Sequence, residues 1–240
     1  MVQAPVTYND TLDALRATLR QMAQWGCRGF HCPPESLKAL GKWGQDGGRT
    51  LTAQERLERI GVQVGVCRSC GLADDRSQIV FGEGHPQADL LFVGAGSEAD
   101  RSGRPFVGAA GQLLDNIIQA MNLTRDQVYI CEIVKCRPSG NRRPELDQIN
   151  ACRQFLERQL AVIEPLVICT LGGPASRTLL NTTRSISRLR GRFHEYGKIR
   201  IMPTFDPADL LRNPDQKRAV WEDMQKIMAL LRIPRRNKIK

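Results

Sequence analysis

The 240-residue chain reads as an α/β protein, a three-layer α/β/α arrangement around a central, mostly parallel sheet, with a helical extension ahead of it. Two observations predict this class. Short apolar runs rich in β-branched residues alternate with stretches of helical periodicity, and that order calls for crossover connections between parallel strands, with helices on both faces. Each run also ends in a Gly, Pro or polar turn, as buried strands of a parallel sheet do. A chain of this length buries a full core of that kind.

The elements follow in order. Residues 9–25 set Leu12, Leu15, Leu19 and Met22 three and four apart behind Asn9 or Asp10, which predicts an amphipathic helix. In the Gly- and Pro-containing passage after it, Cys27, His31 and Cys32 have a spacing that could suit a metal, although packing is the simpler reading. LTAQERLERI (51–60) predicts a second helix, with Thr52 as cap and Glu55 completing a capping box. The expected organisation is a helical extension over 1–60, the main domain over 61–233 and a basic tail over 234–240. Within the domain, ADLLFVGA (88–95), QVYICEIV (127–134), PLVICTLG (165–172) and IRIMPTF (199–205) are the candidate strands. Residues 111–121, 146–163 and 222–233 carry helical periodicity. Ligands of such sheets sit beyond the carboxyl ends of the strands, which singles out 94–106, 132–138 and 205–212.

Composition narrows the partners. Thirty-five Lys and Arg against 25 Asp and Glu give a net charge of +10, which implies an anionic partner. No run of 18 apolar residues and no signal-peptide pattern occurs, so nucleic acid is expected rather than a membrane, and the expected location is cytoplasmic, on the nucleoid. In that compartment the eight cysteines predict a cluster or free thiols rather than disulfides. Gly94 and Gly96 follow a strand, yet no third Gly in register and no following helix start support a dinucleotide site, so no nucleotide cofactor is expected. The expected state is a monomer.

Four cysteines carry the strongest motif: Cys67-x2-Cys70, then Cys136 after 65 residues and Cys152 after 15 more. By spacing alone the CxxC is half a zinc knuckle, a redox pair or chance. The flanks decide. GRPFVGAAGQLL (103–114), VYICEIVKCRP (128–138), ACRQFLERQL (151–160) and IMPTFDPADLLRNP (201–214) lie in one order around the cysteines, and over residues 61–233 the chain resembles the family 4 uracil-DNA glycosylases. The resemblance implies a uracil-DNA glycosylase-like fold, DNA as partner and a [4Fe-4S] cluster on Cys67, Cys70, Cys136 and Cys152. Zinc is the alternative for four thiolates.

The resemblance also assigns a site, and the site departs from the family pattern. The family opens it with Gly-Glu-Ala/Gly-Pro-Gly; here the loop begins Gly94-Ala95-Gly96, lacks the Glu, is shorter, and runs through Asp100. Glu132 stands where the family reads uracil with Asn, and Asp206 where it places His. Phe106 holds the position of the ring that stacks on the extruded base. Glu132, with Ala95 and Gly96, would therefore meet the base, while Asp206, Asp100 and Glu132 are the candidate catalytic groups. Arg184, Arg188, Arg190 and Arg192, with Arg212 in the wedge loop, correspond to a DNA-facing surface. An ionised carboxylate only accepts hydrogen bonds, so Glu132 disfavours uracil O4 and suits an amino-bearing edge such as that of a modified cytosine. The expectation is a glycosylase that flips out and hydrolyses a base other than plain uracil; the alternative is a glycosylase fold that binds DNA without chemistry.

Overall fold

A computed structural model describes residues 51–76, 78–95, 103–137 and 144–234. The chain divides into two compact units, Met1–Thr50 and Leu51–Lys240. The helix expected at 9–25, together with Cys27, His31 and Cys32, lies outside the described residues, as do Gly96, Asp100 and residues 235–240 of the basic tail.

The second unit starts with the capped helix. Helix α1 (Ala53–Val66) has Thr52 accepting from the Glu55 N–H while the Glu55 side chain accepts from the Thr52 N–H. It runs beyond the expected end at 60 because Leu57, Ile60 and Val64 form a buried stripe at helical spacing. Those three side chains join the same core cluster as Cys152, Phe155 and Leu156, so this helix belongs with the sheet unit. A one-turn helix, α2 (Leu72–Asp75), follows.

Six strands form one sheet: β1 (Glu83–Gly84), β2 (Leu90–Gly94), β3 (Tyr129–Glu132), β4 (Val167–Leu171), β5 (His194–Tyr196) and β6 (Ile199–Thr204), in the spatial order 1-3-2-4-6-5. The inner pairs 3-2, 2-4 and 4-6 are parallel, and the edge strands β1 and β5 are antiparallel. The helices that follow β2 are α3 (Gly108–Ala120), α4 (Leu146–Ile163), α5 (Gly172–Leu180), α6 (Ile186–Leu189), α7 (Pro207–Arg212) and α8 (Lys217–Leu230), the last two after β6. The four parallel strands are the four apolar runs of the sequence.

Strand alternation sorts the core into two layers. Leu91, Val93, Cys131, Ile168 and Ile201 pack with α1, α4 and α5 residues, whereas Leu90, Phe92, Ile130, Cys169 and Met202 pack with Leu114, Leu210, Val220 and Met224 of α3, α7 and α8. This is the expected sandwich of sheet between helices. β2, β3 and β4 are buried on both faces along their length, and β6 over its last four residues, which is why these sequences are apolar runs rather than alternating ones. The chain leaves β2 for one face and β3 for the other, so its connections diverge at the carboxyl ends of these neighbouring strands, where ligands of such sheets bind.

Candidate active site

Three strand ends deliver the site. Register pairs Gly94 with Glu132, so the end of β2 and the end of β3 lie side by side. Glu132 is buried, 1 % exposed, and its Oε2 lies against Gly94. The Phe106 ring approaches the same α-carbon from the loop before α3. A β-carbon on Gly94 would sit inside both groups, and this is the physical reason for a glycine at that position. Ala95, also buried, follows directly.

Phe106 is held in an unusual backbone. Its φ is +51°, a left-handed conformation that side chains larger than Gly or Asn seldom adopt. Arg125 stabilises it: Nη2 donates to the Pro105 carbonyl at 2.5 Å and to the Phe106 carbonyl at 3.3 Å. The same guanidinium pairs with Asp115 at 2.5 Å and with Glu83, which also binds Arg104 at 2.8 Å. Burial pushes the Glu83 carboxyl up, but the two arginines outweigh it and hold it below the ordinary value. Sequence reasoning missed Arg125, Glu83 and Asp115, because nothing in their local sequence marks them.

Asp206 stands at the end of β6. It is the N-cap of α7, with Oδ1 accepting from the Ala208 N–H at 2.9 Å, and its carboxylate faces Gly172 at the end of β4. Glu132 and Phe106 therefore share one contact, while Asp206 lies along the same edge of the sheet, beyond β4.

The arginines separate. Arg184, Arg188, Arg192 and Arg212 are exposed. Arg190 is not: Nε and Nη2 bind the carboxylate of Asp223 at 3.0 and 2.8 Å, Nη2 also donates to the Ala219 carbonyl, and the guanidinium lies 5.4 Å from the Phe205 ring centre. Asp223 is fully buried and also accepts from Thr204 Oγ1 at 2.8 Å; burial pushes its carboxyl up, against Thr204 and Arg190. The Arg190 head is thus spent on α8 and the Phe205 ring, and only 19 % of its side chain remains exposed. In α7, Leu210 is buried and Leu211 is 47 % exposed. A separate groove of about 720 Å³, lined in part by Asn150, Arg153, Arg177 and Asn181, runs between α4 and α5.

Cys67, Cys70, Cys136 and Cys152 line one narrow recess of about 10 Å³, closed by Val64, Leu72 and Phe155. Cys67 ends α1, Cys152 sits on α4, and Cys136 is fixed by pairing of 78–80 with 135–137: Val80 N donates to Lys135 O and Arg137 N to Gln78 O. Burial pushes the Cys152 thiol up to about 11 and raises that of Cys136. Among the described residues no three His, Cys, Asp or Glu side chains close on a single point as one metal ion would require. Four thiols on one recess are a donor set that an iron–sulfur cluster or a zinc ion can use.

Among the described residues no helix is long and apolar enough to cross a membrane. The sequence profile described as "Uracil DNA glycosylase superfamily" matches residues 81–225. The chain is 40 % identical over 193 residues to a type-4 uracil-DNA glycosylase of Sulfurisphaera tokodaii, covering 76 % of this chain and 88 % of that protein. It is 38 % identical over 187 residues to a type-4 uracil-DNA glycosylase of Thermotoga maritima, covering 75 % and 97 %. A type-5 uracil-DNA glycosylase of Pyrobaculum aerophilum is more distant, at 27 % over 150 residues, 53 % of this chain and 64 % of that protein.

Proposed function

Because the chain belongs to the uracil DNA glycosylase superfamily, we propose that it is a DNA glycosylase that flips a nucleotide out of DNA, receives an amino-bearing base against Glu132, and hydrolyses the N-glycosidic bond with water. The observation that carries this reading is the buried carboxylate of Glu132 against Gly94, beside the Phe106 ring. An ionised carboxylate there repels uracil O4 and accepts from an exocyclic amino group, so a modified cytosine is the fitting target class. Phe106 supplies a face on which the base stacks, and Ala95 and Gly96 are the further residues assigned to the base.

Asp206, with Asp100, stabilises the positive charge that grows on the sugar or orients the water that attacks it. Lys135, from the motif next to the site, is fully buried with its ammonium on the Glu132 carbonyl, which supports water rather than a Schiff-base lysine as nucleophile. Arg184, Arg188, Arg192 and Arg212 hold phosphates, and exposed Leu211 enters the gap left by the base. Arg190 instead braces α8 and the Phe205 ring. Cys67, Cys70, Cys136 and Cys152 would hold the [4Fe-4S] cluster, which when bound supplies a clamp between α1, the segment at 135–137 and α4. DNA as substrate puts this activity in the cytoplasm, on the nucleoid.

A screen of single strands and duplexes carrying modified bases tests the reading. Release of an amino-bearing base with little release of uracil supports it, and robust uracil release by the unaltered protein overturns it. One observation favours a second reading, a DNA-binding protein without chemistry: Asp206 Oδ1 is committed to capping α7.

A further inference from the structure

Lys135 is 0 % exposed, and its partners among the described residues are the Glu132 carbonyl, which Nζ meets at 2.7 Å, and the thiol of Cys131. Neither is a carboxylate. A buried ammonium is costly without a compensating anion, and its charge acts on the thiols of Cys131 and Cys152. Its stem lines the four-cysteine recess, its own N–H donates to Cys152 Sγ at 3.1 Å, and the next residue is Cys136.

A second cation lies at the same recess. Arg76 Nη1 reaches Cys136 Sγ at 3.6 Å and the Cys67 carbonyl at 3.2 Å, while Nη2 donates to the Gly65 carbonyl at 2.7 Å. These carbonyls belong to the end of α1, so its negative helix terminus holds the guanidinium in place.

We infer that Arg76 and Lys135 are the internal counter-charges of the four-thiolate centre. The inference rests on the reading that Cys67, Cys70, Cys136 and Cys152 together hold a metal group. Four thiolates around an iron–sulfur cluster or a zinc ion leave a net negative charge in an apolar recess; the Arg76 guanidinium, 3.6 Å from Cys136 Sγ, and the Lys135 ammonium, whose charge acts on the Cys152 thiol, offset it. Arg76 acts on the outer side at Cys136. Lys135 acts from within the sheet and, through the Glu132 carbonyl, ties the centre to the end of β3. Positive charge held this close also favours the reduced form of a cluster, so it sets the potential as well as the retention.

The test uses the whole chain purified anaerobically, as the unaltered protein, Arg76→Gln and Lys135→Met. Iron, sulfide and zinc content of the unaltered protein checks the underlying reading; a protein that takes up neither metal overturns that reading and the inference together. With metal present, each variant should retain it about tenfold less well against a chelator, and an iron–sulfur cluster should show a more negative reduction potential. The metal-free forms give the opposite sign: Lys135→Met should melt above the metal-free unaltered protein, since it removes an uncompensated buried charge. Retention and potential equal to those of the unaltered protein in both variants would overturn the inference while leaving the reading intact. A Lys135→Met that melts lower with and without metal, or that does not fold, would mark Lys135 as a packing residue and overturn its part.

Discussion

The Glu132 carboxylate and the Phe106 ring close over the α-carbon of Gly94, where an added β-carbon would stand 2.4 Å from Glu132 Oε2 and 2.3 Å from Phe106 Cζ. Both distances are far inside van der Waals contact. The two groups are thus placed by the same missing side chain, one from β3 and one from the loop before α3.

Gly94→Ala should therefore push the ring and the carboxylate apart. Overpacking of this kind costs about 1–3 kcal/mol, which a denaturant titration measures. Base release should be lost while DNA binding remains, because the arginines proposed to meet phosphates lie elsewhere. An alanine variant with unchanged stability and activity would show that Phe106 and Glu132 do not need this closeness.

Arg125 should matter for Phe106 more than its distance in sequence suggests. Arg125→Ala removes its links to Glu83, Asp115, Pro105 and Phe106 together, and charge-assisted bonds contribute about 1.5–3 kcal/mol each where they are buried. The pH dependence has a definite sign. The Glu83 carboxyl is held below its ordinary value of 4.5 when folded, so its contribution is complete above that value and is lost as pH falls through the lower, folded one. Glu83→Gln should flatten the acid limb of a stability–pH curve below about 4.5 and leave the slope near neutrality unchanged. An acid limb identical to that of the unaltered protein would remove Glu83 from the account.

The arginines of 184–192 should fall into two classes. Arg184→Gln with Arg188→Gln should weaken binding to all DNA sequences alike and reduce the salt slope by about 2, given about 0.9 per phosphate. Arg190→Gln should leave the slope alone and instead strand buried Asp223, a loss of about 3–5 kcal/mol. A salt slope that falls in the Arg190 variant, with stability intact, would reverse this assignment.

That division marks the limit of what the sequence reveals. The helix at 146–163 was legible because eight of its side chains are buried at helical spacing, and the capping box at Thr52 was legible because both of its partners are local. Two-sided burial made the four parallel strands visible as apolar runs. The edge strands were not visible, since two residues at Glu83–Gly84 and three at His194–Tyr196 carry no period. Arg188, Arg190 and Arg192 read alike in sequence, and only Asp223, 33 residues away from Arg190, sets that one apart. Arg125 answers to Glu83, 42 residues before it, and so leaves no local trace either. The cysteines were read through their flanking motifs; the recess that they line depends on α1 packing against α4.

The sharpest division between chemistry and mere binding lies at Asp206 and Glu132. Asp206 Oδ1 caps α7 through the Ala208 N–H, and Asn caps a helix about as well as Asp does. Asp206→Asn therefore keeps the turn and removes only the charge, whereas Asp206→Ala also loses about 1 kcal/mol of capping. If the carboxylate stabilises the transition state, the Asn variant should lose about a hundredfold or more in base release with unchanged melting temperature and DNA affinity. Equal release by Asp206→Asn and the unaltered protein would assign the residue to the cap alone. Glu132→Asn supplies the complementary case: it restores a group that donates to O4 and accepts from N3–H, so uracil release should rise and release of the amino-bearing base should fall. Because the two substitutions act on different partners, sugar and base, a protein in which neither changes any release while DNA binding stays tight is one that binds without cutting.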